Sequence, residues 1–172
     1  MQKDFSYILK LEDLTQNEQH YHLSASKEDL EVLKTILKVE DVKSFNADIS
    51  LKKSHKMHRL DIKGEVRAIL ELKSVVSLEN FEKEYVAPFE YYFDTEMSYE
   101  DLKDMDLGIN EEAPEIIENG QIDLGQIAIE QLALVMEDYP RRVGEVFEFV
   151  SEFDEETTRE AHPFAVLEKL KK

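Results

Sequence analysis

His20 and His22 sit one residue apart in QHYHLS and would point the same way from a strand, a spacing at which two imidazoles can share a metal ion. The sequence specifies no third ligand, so a small metal-dependent enzyme built on His20 and His22 is an alternative and not the leading reading. The acidic pairs Glu111-Glu112 and Glu155-Glu156 lie in polar runs, whereas paired catalytic carboxylates need a buried setting that separates their pKa values. They read most simply as solvated charge. The sequence contains no GxGxxG, no phosphate-binding loop, no GxSxG and no HExxH. Nothing in it demands catalysis, and no cofactor, metal or small-molecule substrate is expected.

Binding chemistry is better represented. The stretch KKSHKMHR, residues 52 to 59, places Lys52, Lys53, Lys56 and Arg59, with His55 and His58, at the expected tip of a hairpin. Such a cationic knob on an anionic body suits RNA phosphates; the blander reading is a solvated hairpin whose lysines discourage edge pairing. A second basic pair, Arg141 and Arg142, follows the apolar helical pattern of EQLALVMEDYP. Tyr139 precedes a proline, which pushes it out of the helical region and predicts a helix end near Asp138. Positive charge is favoured just past a helix C-terminus, and Glu137 and Asp138 are close enough in sequence to pair with the arginines. That accounts for both without a ligand; an anion clamp is the alternative, because paired guanidiniums suit bidentate recognition.

The elements that must carry these residues follow from periodicity. Phe5, Tyr7, Leu9 and Leu11 alternate with polar neighbours, and a second short strand is expected around Gln19 to Ala25. Ser26, with Asp29 three residues on, has nearly the spacing of a capping box, and Leu30, Leu33 and Leu37 follow at helical spacing, predicting an amphipathic helix over 27–39. Period two returns at Phe45, Ala47, Ile49 and Leu51, again from Leu60 to Leu72 with Gly64 as a candidate bulge, and again from Tyr85 to Phe93. Three alternating runs without intervening helical pattern argue for an antiparallel meander with one wet face.

Residues 94–121 are dense in Asp and Glu and broken by Gly108, Pro114 and Gly120; apart from a short helix capped at Ser98, they read as an acidic loop. Asp123 is a good N-cap for a helix over 124–138 with a water-facing stripe through Gln126, Glu130 and Glu137. The tail should close with a short helix after His162-Pro163 that docks Phe164, Leu167 and Leu170 on the core. The fold class expected is α+β: a meander covered by one largely buried helix, with an amphipathic helix and a docked C-terminal tail. A length of 172 residues suits a single domain over 1–172.

Thirty-nine Asp and Glu against 21 Lys and Arg give a formal charge of −18. The average surface therefore repels phosphate backbones and anionic headgroups and attracts basic partners. Glu130, Glu111 and Glu112 are the candidate partner-binding residues. Absence of cysteine excludes disulfides and thiolate chemistry. With no signal-peptide pattern and no apolar run approaching the ~20 residues of a membrane span, a cytoplasmic protein with no membrane contact is expected.

The stretch GQIDLGQIAIEQLALVMEDYPRRVGEVF, residues 120 to 147, resembles the region of the YceD family, the large ribosomal RNA subunit accumulation proteins, in which "G-x-I-D-L" leads into "E-x-L-x-L" and a proline-bearing turn. HPFAVLEKLKK at the end is similar to that family's closing "P-F-A-V-L-x-x-L-K", and SVVSLENF, residues 74 to 81, looks like the "C-V-V-T-L-E-P" of its alphaproteobacterial-type branch. Order and spacing agree over about residues 60 to 172. The Cys-x-x-Cys of many relatives would fall near Leu72 to Val75 and is missing, and Asn80 stands where proline is usual, so no role of those cysteines carries over. The matching positions are Gly120, Asp123, Leu124, Glu130, Leu132, Leu134, Tyr139, Pro140, Arg141, Pro163, Phe164 and Leu167. The resemblance implies a non-enzymatic ribosome-biogenesis factor supporting 23S ribosomal RNA accumulation and large-subunit assembly, with large-subunit ribosomal proteins or precursor ribosomal RNA as partners. An acidic chaperone for basic proteins without RNA contact is the other alternative.

Overall fold

The period-two runs become three long strands. The computed structural model describes residues 5–54, 58–103 and 114–146. In chain order its elements are β1 (Ile8–Lys10), β2 (Gln19–Ser24), α1 (Lys27–Leu37), β3 (Asp41–Ser54), β4 (Arg59–Lys73), β5 (Asn80–Asp94), α2 (Tyr99–Lys103), β6 (Glu115–Ile116), β7 (Gln121–Asp123) and α3 (Leu124–Val135). A five-stranded sheet runs β2-β3-β4-β5-β6, antiparallel except for the short parallel pair β5–β6, and β1 with β7 forms a separate two-stranded ladder. The class is α+β, as the alternation implied. These elements belong to one compact unit, Met1–Arg142; Val143–Lys172 is a second, and the expected tail helix around 163–170 lies outside the described residues.

One face of the sheet is apolar and dry. Phe45, Ala47, Ile49 and Leu51 of β3, the matching residues of β4 from Leu60 to Leu72, and Tyr85, Ala87, Phe89 and Phe93 of β5 are all buried. α1 packs on β3, and α3 on β5 and β4. The capping box at α1 is fully formed: the Asp29 amide donates to Ser26 Oγ at 3.3 Å and the Ser26 amide to Asp29 Oδ2 at 2.9 Å. Lys38, in the left-handed region at φ 55°, stops the helix after Leu37, two residues before the predicted end.

The sheet's irregularity is not at Gly64. Register is continuous through Gly64, which faces Ile49 on one side and Phe89 on the other. A Cβ there would lie 2.8 Å from the Phe89 ring and 2.5 Å from the Asp48 carbonyl oxygen, so the glycine serves close approach rather than a bulge. The bulge falls instead in β3, where Val42 pairs with Leu70 and Ser44 with Ile69, leaving Lys43 as the extra residue. It puts Val42 and Phe45 on the same buried face although they are three apart. It also aims Lys43 Nζ at Asp41 (2.6 Å) and Glu71 (2.8 Å).

The first alternating run forms less strand than predicted. Only Ile8–Lys10 is β, and Tyr7 and Ile8 are exposed. The stretch is placed by Asp123 instead: its carboxylate accepts from the Tyr7 amide at 2.8 Å and from Ser6 Oγ, and also caps α3 through the Gly125 amide at 2.9 Å. The Leu124 amide donates in turn to the Tyr7 carbonyl at 2.9 Å. Gly125 makes the crossing possible, because a Cβ there would lie 2.6 Å from the Phe5 carbonyl oxygen.

α3 is shorter and less covered than expected. Leu124, Ile127, Ala128 and Leu132 are buried, but the helix ends at Val135, and Leu134 is 76% exposed. Beyond it Glu137 accepts from Lys83 Nζ and, at 2.6 Å, from Tyr85 Oη, tying the chain after the helix to β5. The lysine first, then the tyrosine hydroxyl, hold the Glu137 carboxyl below its ordinary value of 4.5. A carboxyl depressed on folding contributes stability above its unfolded-state pKa and loses it as pH falls through the folded-state value. Glu137→Gln should therefore cost about 0.5–1 kcal/mol near neutral pH, the range for a half-exposed ion pair. In urea titrations the gap between variant and parent should shrink as pH falls below the ordinary carboxyl value of 4.5; a gap unchanged over that span would show that the charge is not its source.

Candidate functional site

The predicted cationic knob is largely spoken for. Lys53 Nζ donates to the Leu11 carbonyl at 2.8 Å, securing the end of β3 to the segment after β1. Arg59 pairs with Asp61 at 2.5 Å, and its guanidinium lies 4.0 Å from the centroid of the Tyr92 ring. His58, at φ 49°, meets Glu96 at 2.7 Å. Lys52 is exposed and makes no ion pair among the described residues, while His55 and Lys56 lie outside them. The hairpin therefore presents fewer unengaged cations than its sequence suggested, because neighbouring backbone oxygens and carboxylates take them.

Arg141 and Arg142 do not cap the helix. α3 stops six residues before Arg141, with Met136 already extended at φ −74°, ψ 142°. The reason is visible in what the chain does next: the Pro140 carbonyl accepts from the Val75 amide at 3.0 Å, so residues 136–142 run out across the β4–β5 turn rather than winding on. Glu137, a predicted partner of the arginines, is committed to Lys83 and Tyr85. Arg142 reaches Glu79 Oε2 at 3.2 Å and the Asn80 carbonyl at 3.3 Å, fastening that turn. Arg141 is exposed and makes no ion pair among the described residues. The turn itself is organised by Ser74, wholly buried, whose hydroxyl accepts from the Val76 amide at 3.1 Å.

His20 and His22 do share a face of β2, but each is bonded across to β3: His20 Nδ1 to Ser50 Oγ at 2.7 Å and His22 Nδ1 to Asp48 Oδ1 at 2.6 Å. A hollow of about 450 Å³ beside them is walled by Lys63, Glu65 and Phe89. No group of three or more metal-binding side chains converges among the described residues.

Of the proposed acidic contacts, Glu111 and Glu112 lie outside the described residues. Glu130 is exposed on α3 and accepts from Gln126 Nε2 at 2.9 Å. It borders a cleft of about 390 Å³ between α3, β6 and the end of β5, with Glu90 and Glu115 as the other carboxylates and Tyr91, Tyr92 and Arg59 in the wall. Burial first, then the charges of Glu115 and Glu130, push the Tyr91 phenol well above its ordinary value. The cleft holds an excess of negative potential over aromatic surface. Sequence reasoning missed it because Glu115 sits in the acidic stretch assigned to loop, whereas it pairs with Phe93 as β6. The readable signal was Glu90-Tyr91-Tyr92-Phe93, an acid followed by three adjacent aromatics.

Among the described residues no helix is long and apolar enough to cross a membrane. No curated protein and no solved structure matches the chain significantly. A family model does, over residues 62–171, a span that takes in most of β4, β5, α3 and the described lining of the cleft except Arg59. The chain belongs to the YceD family, described as the large ribosomal RNA subunit accumulation proteins.

Proposed function

We propose that this protein is a non-enzymatic ribosome-biogenesis factor that supports 23S ribosomal RNA accumulation by binding a basic large-subunit ribosomal protein, precursor ribosomal RNA, or both, in the cytoplasm. The family match over residues 62–171 carries the reading. Charge supports the choice of a protein as main contact: a body of formal charge −18 draws in basic partners and repels a bare phosphate chain. Any RNA contact is local, through Lys52 and Arg141 among the described residues and Lys56 outside them, with Lys53, Arg59 and Arg142 joining only by leaving their present partners.

Affinity capture from lysate tests the reading. Large-subunit proteins or precursor ribosomal RNA should be enriched over a control protein of similar charge; enrichment of neither would end the proposal. The RNA arm has its own signature. Four phosphates held by the 52–59 hairpin would give a slope of log affinity against log salt of about −3 for a single strand, whereas a hairpin whose Lys53 and Arg59 keep their present partners should give a shallower one. The expected slope is the shallower one. A slope near −3 would mean that Lys53 and Arg59 turn outward to bind.

A further inference from the structure

We propose that the cleft between α3, β6 and the end of β5 is the docking site for an arginine-bearing segment of the basic protein partner. This rests on the function proposed above and names the surface and side chain through which it would act.

Three features converge there. Glu90, Glu115 and Glu130 surround the opening, and none makes an ion pair among the described residues; Glu130 accepts only from the neutral amide of Gln126. Among the described residues the one cation in the wall, Arg59, is already matched by Asp61 at 2.5 Å. The carboxylates therefore line the cleft without a charged partner among the described residues, and the charges of Glu115 and Glu130 add to burial in displacing the Tyr91 phenol upward. The site also has an interior: about 390 Å³ with Tyr91 and Tyr92 in its wall, which a patch of surface acids lacks. Arg59 shows how a guanidinium rests here, over the Tyr92 ring at 4.0 Å from its centroid and with the Asp61 carboxylate at its Nε. A guanidinium arriving from a partner would find the same combination of ring and acid, which suits arginine better than the compact, strongly hydrated ammonium of lysine. Nucleic acid is disfavoured by the same charges.

The test uses the full chain and a blocked peptide alternating glycine and arginine as probe. In amide correlation spectra, shifts should concentrate at residues 90–93, 115 and 127–131. Glu115→Lys with Glu130→Lys should weaken binding about tenfold or more, roughly what reversing two charge-assisted contacts removes. The control, Glu31→Lys with Glu40→Lys, makes the same change in net charge on and beside α1 and should weaken binding less than about threefold, the residual effect of long-range field. All four glutamates are exposed, so the variants should unfold with the parent, and a melting curve verifies that. Shifts spread evenly over the acidic surface, equal weakening by both pairs, or the same shift pattern from a single-stranded oligonucleotide would each overturn the assignment. Lysate capture separates the two levels. If the parent enriches large-subunit proteins and the Glu115→Lys, Glu130→Lys variant does so equally, the cleft is wrong and the function stands. If the parent enriches nothing, the function falls whatever the peptide does.

Discussion

Phe45→Ala should lower the free energy of unfolding by about 3–5 kcal/mol, measured by urea denaturation at neutral pH. The ring is 1% exposed, sits just past the β3 bulge, and meets Phe5 edge-on with centroids 5.2 Å apart. Its register partner on β4 is Ala68, and Ala47 is its next neighbour on the buried face, so the aromatic fills space that small side chains leave. Truncation opens a hole that a paired sheet cannot collapse to close, and the cavity adds to the lost transfer energy. Phe45→Leu keeps most of the volume and should cost less than half as much. A loss under about 1 kcal/mol for the alanine variant would mean that this region is not close-packed.

Asp123→Ala comes next, at about 2–3 kcal/mol. A capping aspartate alone is worth about 1 kcal/mol, but this one also accepts from Ser6 and the Tyr7 amide, and hydrogen bonds to a charged acceptor are stronger than neutral ones. Asp123→Asn keeps one capping oxygen and loses the second acceptor and the charge, so its cost should fall near half. Hydrogen exchange distinguishes this from a simple loss of helix. In the alanine variant the amides of Tyr7 and of β1 should lose protection together with the first turn of α3. If only the helix amides respond, Asp123 is a cap and no more.

The legible parts of the fold were those whose signals are local. The three alternating runs, the Ser26 and Asp123 caps and the buried start of α3 depend on residues within a turn or a strand of one another, and they formed as the spacing implied. What was illegible depends on partners distant in sequence. β6 is two residues long and exists because Phe93 and Asp94 lie beside it. β1 found β7 rather than the main sheet, with a carboxylate more than a hundred positions away holding the amide of Tyr7 just before it. α3 ends early because Pro140 and Glu137 have bonds to make with Val75, Lys83 and Tyr85, and the last turn of helix yields to them. The bulge was there to be read, since Val42 and Phe45 break period two, but a glycine is a louder signal than a missed beat. For the candidate site, residue type was legible and availability was not. The basic run at 52–59 is plain in the sequence, yet whether a lysine is free is settled by the oxygen nearest to it, as Leu11 settles it for Lys53.

The seam between β1 and β7 has a consequence for biosynthesis. Ser6 and Asp123, which it brings into contact, are 117 positions apart. During translation the opening segment emerges early and has no ladder to join until most of the chain has followed it. The hairpins of β3, β4 and β5, joined by short connections, can zip up meanwhile, because brief loops are quick to close and distant ones slow. The segment around Tyr7 is thus secured only once α3 has been made, when that helix is fastened beneath residues translated long before it.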